Sequence, residues 1–332
     1  MRWYRMTKKM TIKEIAELSG VGKSTVSRFF NNGYVSESVR EKIEKIITEN
    51  NYEPNVFARG IKAKNNRFIG IIVPCLDSII TSVILMRLDS KLREFGYIPL
   101  IINTNHTVDL EISNLENLSR LNVEGIVVIA TEITKEHKNF VKRSKIPVLF
   151  IGQICKETYS IVNDEENAGK LMGEYIAKLG YKNVLYVGVN ETDELVGVIR
   201  KKSVIDKLLD YKINVESITS DFTLEKTEQL LYKYLKNKKP SCIICATDNM
   251  AFGAIKALNS LGINVPEEVS VAGFGGYKIS DLIVPSLTTI RFFNSLTGEL
   301  AAESIIKLLN KEELPKIQKI GFEFLERKSI KK

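Results

Sequence analysis

The sequence predicts an α/β protein with a small all-α head ahead of a two-lobed core of doubly wound parallel sheets. Three observations carry that reading. Residues 1–64 hold 13 Lys/Arg against 7 Asp/Glu while residues 65–332 hold 35 against 33, so most of the net charge of +8 sits on the leading fifth. Residues 11–50 place apolar side chains at helical spacing, broken by glycine turns. From residue 68 short Val/Ile/Leu runs alternate with helical stretches, and the runs come twice in matching order.

At 332 residues the chain can form about two or three domains with sizeable cores. No apolar run approaches the ~18 residues a membrane span needs, and the start "MRWYRMTKKM" lacks an apolar signal region, so a cytoplasmic protein without a membrane partner is expected. Residues 1–10 are set aside as an arm or an over-long start. The cysteines are Cys75, Cys155, Cys242 and Cys245. The last two form C-x-x-C in "SCIICAT", but residues three apart on a strand face opposite sides and cannot readily share a metal. All four are read as reduced and structural, with no metal and no cofactor.

Thr11 with Glu14 is a capping box that starts a first helix over about Ile12–Leu18, and Ser19-Gly20 ends it. A second helix follows over about Lys23–Asn31, with Val26, Phe29 and Phe30 on one side and Lys23, Ser24, Ser27, Arg28 and Asn31 on the other. After "NNGY" a third helix from Ser36 carries Val39, Ile43, Ile46 and Ile47 and closes a three-helix core. "GVGKSTVSRF" contains the Gly-Lys-Ser-Thr of a nucleotide-binding P-loop, yet Glu17 stands where the first glycine is required and a helix precedes it instead of a strand. Two short helices joined by a glycine turn make a helix-turn-helix, whose second helix enters the DNA major groove. Here that helix has no carboxylate on its polar face, and its cations, hydroxyls and amide suit phosphates and base edges.

The order "TIKEIAELSGVGKSTVSRFFNNGYVSESVREKIEKIITENNYEPN", with its T-V-S-R core and Y-x-P-N, resembles the DNA-binding head of the lactose/galactose repressor family. The resemblance implies that Lys23 and Ser24 read bases, that Ser27, Arg28 and Asn31 support them, and that Thr11, Thr25 and Tyr34 contact phosphates. The family usually has serine where Gly22 stands, so a helix cap is missing, a change that costs only a few tenths of a kcal/mol. In residues 54–66, beginning at Pro54-Asn55, the resemblance implies a hinge helix that folds only on DNA. Ile61 would then be the minor-groove wedge, and Gly60 lowers intrinsic helicity by ~1 kcal/mol. The head is bounded at residues 11–53.

In the remainder, residues 67–330, "FIGIIVP" corresponds to "NVLYVGV", "EGIVVIATE" to "SCIICATDN" and "IPVLFIGQ" to "VSVAGFGG". Two such sheets leave a cleft at their strand ends, where ligands bind. His106 and His137 lie in separate polar stretches and are read as surface residues. No catalytic motif or dinucleotide fingerprint is present, so binding without chemistry is expected. The family resemblance runs to near residue 330 and implies a periplasmic-binding-protein-like body that binds an effector. Without C-terminal leucine heptads it also implies a homodimer, which reads a pseudo-palindromic operator.

The effector candidates are Asp77, Ser78, Gln153, the segment Asp193–Arg200, Thr247, Asp248, Gly275 and Phe292. Asp248 serves equally as a helix cap, and Arg200 offers a planar fork of donors. The family's glycine after that arginine is Ser203 here. Gly275 stands where the family usually has an acid that holds sugar hydroxyls. That loss, with Lys201 and Lys202 beside Arg200, predicts a cleft friendly to anions. "GFGGY", "IATEITKEH", "IGQ" and "DELVGVIR" together resemble the sucrose-operon repressor branch of Gram-positive bacteria. A sugar or sugar-phosphate effector that releases the operator is therefore expected, with another sugar or a purine corepressor, or a soluble sugar-binding protein of the same two-lobed form, as the alternatives.

Overall fold

The computed structural model describes residues 10–30, 33–50, 52 and 66–332. The chain divides into two compact units, Met1–Lys64 and Asn65–Lys332.

In the first unit, α1 (Ile12–Ser19) starts from Thr11, whose N–H and hydroxyl donate to Glu14 Oε2 at 2.7 and 2.9 Å while its Oγ1 accepts from the Glu14 N–H at 3.3 Å. Gly20 ends the helix at φ 68°, a left-handed cap that glycine adopts at little cost. Helix α2 (Lys23–Phe30) opens with Gly22, whose carbonyl accepts from the N–H groups of Thr25 and Val26 at 2.9 and 3.2 Å. Helix α1, and no strand among the described residues, stands before Gly22-Lys23-Ser24, and the glycine forms a turn between helices. With α3 (Glu37–Glu49), these helices bury Ile15, Ala16, Val26 and Ile43.

The second unit repeats one sheet plan. Strands β1 (Phe68–Val73), β2 (Ile98–Asn103), β3 (Gly125–Ile129), β4 (Val148–Ile151) and β5 (Tyr159–Asn163) lie in the order β2-β1-β3-β4-β5. Strands β6 (Asn183–Gly188), β7 (Asn214–Thr219), β8 (Cys242–Cys245), β9 (Ser270–Phe274) and β10 (Thr288–Phe292) repeat it as β7-β6-β8-β9-β10. The pairings read from the sequence, β1 with β6, β3 with β8 and β4 with β9, occupy matching places.

Each sheet also gains a sixth strand that the repeat did not reveal. β11 (Ile317–Ile320) runs parallel to β5, and β12 (Phe322–Leu325) runs antiparallel to β10. The chain therefore passes between lobes near Asp164, Phe293 and Gly321. The crossings are tied by Asp164 N–H to the Ile320 carbonyl at 2.9 Å and Phe293 N–H to the Gly321 carbonyl at 3.4 Å. The central strands are buried on both faces, and helices supply the outer layers. Burial of Cys242 and Cys245 in β8 pushes both thiols up from their ordinary range, so they stay protonated and inert.

Candidate nucleic-acid interface and effector cleft

In the head, the apolar side of α2 turns inward through Val26, with Phe29 and Phe30 half-buried, and this leaves Lys23, Ser24, Ser27 and Arg28 exposed. No carboxylate pairs with Lys23 or Arg28 among the described residues. Thr25 is half-buried, and Tyr34 is 86% exposed. Thr11 holds the capping box read from the sequence, its N–H and hydroxyl both donating to Glu14 in the DNA-free chain. Asn31, Asn55 and Ile61, and with them the expected hinge helix, lie outside the described residues.

In the body the two lobes meet through a polar cluster. Gln153, buried just past β4, donates from Nε2 to Asp193 Oδ1 of the second lobe at 3.0 Å. Asp193 in turn caps a π-helix, Glu194–Arg200, accepting from the Val196 N–H at 2.9 Å. Such helices are rare and concentrate at functional sites. This one delivers Arg200 into the interior, where Nε and Nη2 lie 2.7 and 2.6 Å from Glu165 Oε2 and Nη1 donates to the Ala246 carbonyl at 2.5 Å. The guanidinium sits over the rings of Phe274 and Phe292, 4.9 and 5.3 Å from their centroids. Asn163 donates to the other Glu165 oxygen at 3.2 Å. Burial raises the Glu165 carboxyl above its ordinary value, and the charge and hydrogen bonds of Arg200 oppose that rise. Ser203 is accommodated because Gly169 faces it: a Cβ on Gly169 would lie 2.8 Å from Ser203 Cβ.

Three expectations change here. Thr247 caps the helix Asp248–Ser260, accepting from the Met250 N–H at 3.3 Å, so Asp248 is not the cap. The Asp248 carboxylate is fully buried and supports the next loop, accepting from Thr289 Oγ1 at 2.5 Å, Ser280 Oγ at 2.6 Å and the Tyr277 N–H at 3.2 Å. A Cβ on Gly275, at φ 153°, would lie 2.7 Å from Tyr277 Cε1 and 3.1 Å from Asp248 Cγ. Asp248 thus occupies the space beside position 275, and losing the acid there does not leave the region without a carboxylate. Nor do the neighbouring lysines add free charge, since Lys201 pairs with Glu191 at 2.9 Å and Lys202 with Asp206 at 2.8 Å.

His137 is buried rather than at the surface. Its Nδ1 accepts from the Thr134 N–H at 3.2 Å, and its Nε2 faces Glu111 Oε2 at 3.2 Å. Thr131 donates its hydroxyl to Glu111 Oε1 at 2.6 Å. Of the remaining candidates, Asp77 is exposed, and Ser78 caps the helix Ile79–Glu94 through the Thr81 N–H at 3.3 Å. No hydrogen bond joins either to the polar cluster among the described residues.

Residues 11–55 match the family described as bacterial regulatory proteins, lacI family, and residues 174–330 match a periplasmic binding protein-like domain. The sucrose operon repressor of Staphylococcus xylosus is 34% identical over 299 residues, which cover 90% of this chain and 93% of that one. The chain belongs to the lacI family. This lacI-family protein is a DNA-binding transcription repressor, and its relatives are regulators, not enzymes. Catabolite control protein A of Priestia megaterium is 28% identical over 315 residues, covering 91% of this chain and 93% of that one. The fold matches a lac repressor dimer bound to operator and the anti-inducer ONPF, with TM-score 0.81, 24% identity and coverage of 97% and 99%. No helix of the described residues is long and apolar enough to cross a membrane.

Sequence reasoning missed three buried side chains around Arg200 and Asp248. Glu165 lies in "NDEENAG", where acids at a helix start read as complements to the helix dipole. Tyr186 reads as strand core, yet its fully buried hydroxyl has no hydrogen-bond partner among the described residues and lies near the charges of Arg200, Glu165 and Asp193. Tyr277 reads as loop and is buried on the Asp248 carboxylate side.

Proposed function

We propose that this regulator is a cytoplasmic homodimer that represses a sucrose-utilisation operon and leaves its operator when a sucrose-type sugar binds between the lobes. The Staphylococcus relative supports the sugar, and the resolved lac repressor dimer supports the assembly. The single observation that carries the DNA side is α2: a lacI-family recognition helix whose exposed face holds Lys23, Ser24, Ser27 and Arg28 and no acid.

In this reading the head spans 11–53, the hinge 54–66 and the body 67–330. Lys23 and Ser24 read base edges, and Ser27, Arg28 and Asn31 support them. Thr11, Thr25 and Tyr34 touch phosphates, while Asn55 and Ile61 act from the hinge. Gln153 and Asp193 close the body over the sugar, with Arg200, Phe292, Thr247 and Tyr186 around it. A sugar lowers operator affinity only by binding one lobe arrangement better than another.

The test is a gel shift on an operator selected from random palindromes. Tight binding is expected, lost on adding sucrose, with Lys23→Ala reducing discrimination between operator and scrambled DNA by ~1–3 kcal/mol. Equal binding to operator and scrambled DNA at physiological salt contradicts the reading.

A further inference from the structure

Resting on the sugar reading above, we infer that the effector is an uncharged sugar and that Glu165 is the residue that excludes phosphorylated sugars, by holding Arg200 in a neutral, immobilised pair. An arginine in a cleft ordinarily advertises for a carboxylate or phosphate, because its planar fork matches two anionic oxygens. Here that fork is already filled. Glu165 Oε2 takes Nε and Nη2, the Ala246 carbonyl takes Nη1, and Phe274 and Phe292 cover the guanidinium faces. The side chains of the pair are 5% and 4% exposed, so the two charges cancel where water cannot screen them. Of five N–H groups, three are engaged by these contacts. The two that remain are donors for hydroxyl oxygens.

The surroundings carry the same sign. Asp193 adds a second carboxylate to the cluster, while Gln153, the first-lobe side chain that reaches it, is uncharged. A phosphate brought here would add negative charge to two carboxylates and one cation, and would have to displace a buried acid from its partner. Hydroxyls face no such cost. They also suit the fully buried Tyr186 phenol, which has no partner among the described residues and can donate to or accept from a neutral sugar. Separation of neutral from phosphorylated ligand therefore comes from a charge balance set by Glu165.

The experiment is calorimetry of the full chain with sucrose, sucrose 6-phosphate and inorganic phosphate, on the wild type and on Glu165→Gln, which keeps the shape and removes the charge. Wild type is expected to bind sucrose at least tenfold more tightly than the 6-phosphate and to show no phosphate binding. Glu165→Gln is expected to narrow that ratio at least tenfold and to bind phosphate. The wild-type ratio needs no variant and stands even where Glu165→Gln folds poorly. Wild-type preference for the phosphate ester, or an unchanged ratio in a folded Glu165→Gln, would overturn the inference and leave a sugar-released repressor intact. Failure of every sugar to release operator overturns the functional reading itself, and with it this one.

Discussion

Strand β4 of the first lobe leads into Gly152 and Gln153; at the matching place strand β9 of the second leads into Gly275 and Gly276. Gly152 has φ 84° and open space where a Cβ would be, whereas Gly275 is enclosed by Tyr277 and Asp248. The next strand over shows the same contrast. Thr131 in "ATE" bonds to Glu111, which is tied to His137 inside its own lobe, while Thr247 in "ATD" caps a helix whose first residue buries its carboxylate under the cleft loop. One strand plan thus carries two chemistries. The first lobe presents an uncharged amide, and the second holds Arg200, Glu165, Asp193 and Asp248 and does the discriminating.

Breaking the charged lobe should cost most. Arg200→Ala leaves Glu165 buried without its partner, a loss of about 3–5 kcal/mol by analogy with other broken buried pairs, and it abolishes operator release by sucrose. Urea unfolding and a release assay measure the two effects. Combining Arg200→Met with Glu165→Leu should restore stability and not release. Recovery of release as well would show that the pair is a strut only.

Alkaline pH should separate the lobes next. Burial pushes the second-lobe thiols of Cys242 and Cys245 and phenols of Tyr186 and Tyr277 well up, while the first-lobe thiols of Cys75 and Cys155 and the phenol of Tyr97 are raised by smaller shifts. A raised folded value gives stability that is fully present below the unfolded value, 9.0 for these thiols, and is lost as pH rises through the folded one. Above the unfolded value the unfolded thiols ionise while the buried ones stay protonated, which favours unfolding by roughly 1 kcal/mol per thiol for each further unit of pH. Hydrogen exchange from pH 8 to 10 should show β6 and β8 losing protection before β1 and β3. Equal loss in both lobes would contradict this.

The smallest contrast is between the matched glycines. Gly152→Ala meets only the left-handed backbone penalty, about 1–2 kcal/mol. Gly275→Ala adds a clash with Tyr277, about 1–3 kcal/mol of overpacking. Thermal unfolding of both variants gives the difference, and equal shifts would remove the claim that Tyr277 and Asp248 fill that corner.

Local patterns revealed much of this. The capping box at Thr11, the glycine turn before Lys23 and the repeated apolar runs are short-range signals, and each marks the element seen. Arg200, Gln153 and Asp193 were legible as strand-end or loop residues. What stayed hidden depends on distant partners. Glu165 meets Arg200 35 residues away and Asp248 meets Thr289 41 away, so neither acid could be told from an ordinary helix-start residue. His137 looked like part of a polar stretch because Glu111, which pairs with it, sits on another helix. Strand β11 was concealed by the chain's return to the first lobe after β10.

The central claim is that the sugar cleft and the DNA-reading head are coupled. Coupling between two ligands is reciprocal, so each must change the other's affinity by the same factor. The most direct measurement is sucrose affinity by calorimetry, with and without saturating operator, set beside operator affinity with and without saturating sucrose. The account predicts that operator weakens sucrose binding by the factor by which sucrose weakens operator binding, roughly 5- to 150-fold. Sucrose affinity unchanged on saturating operator would contradict it.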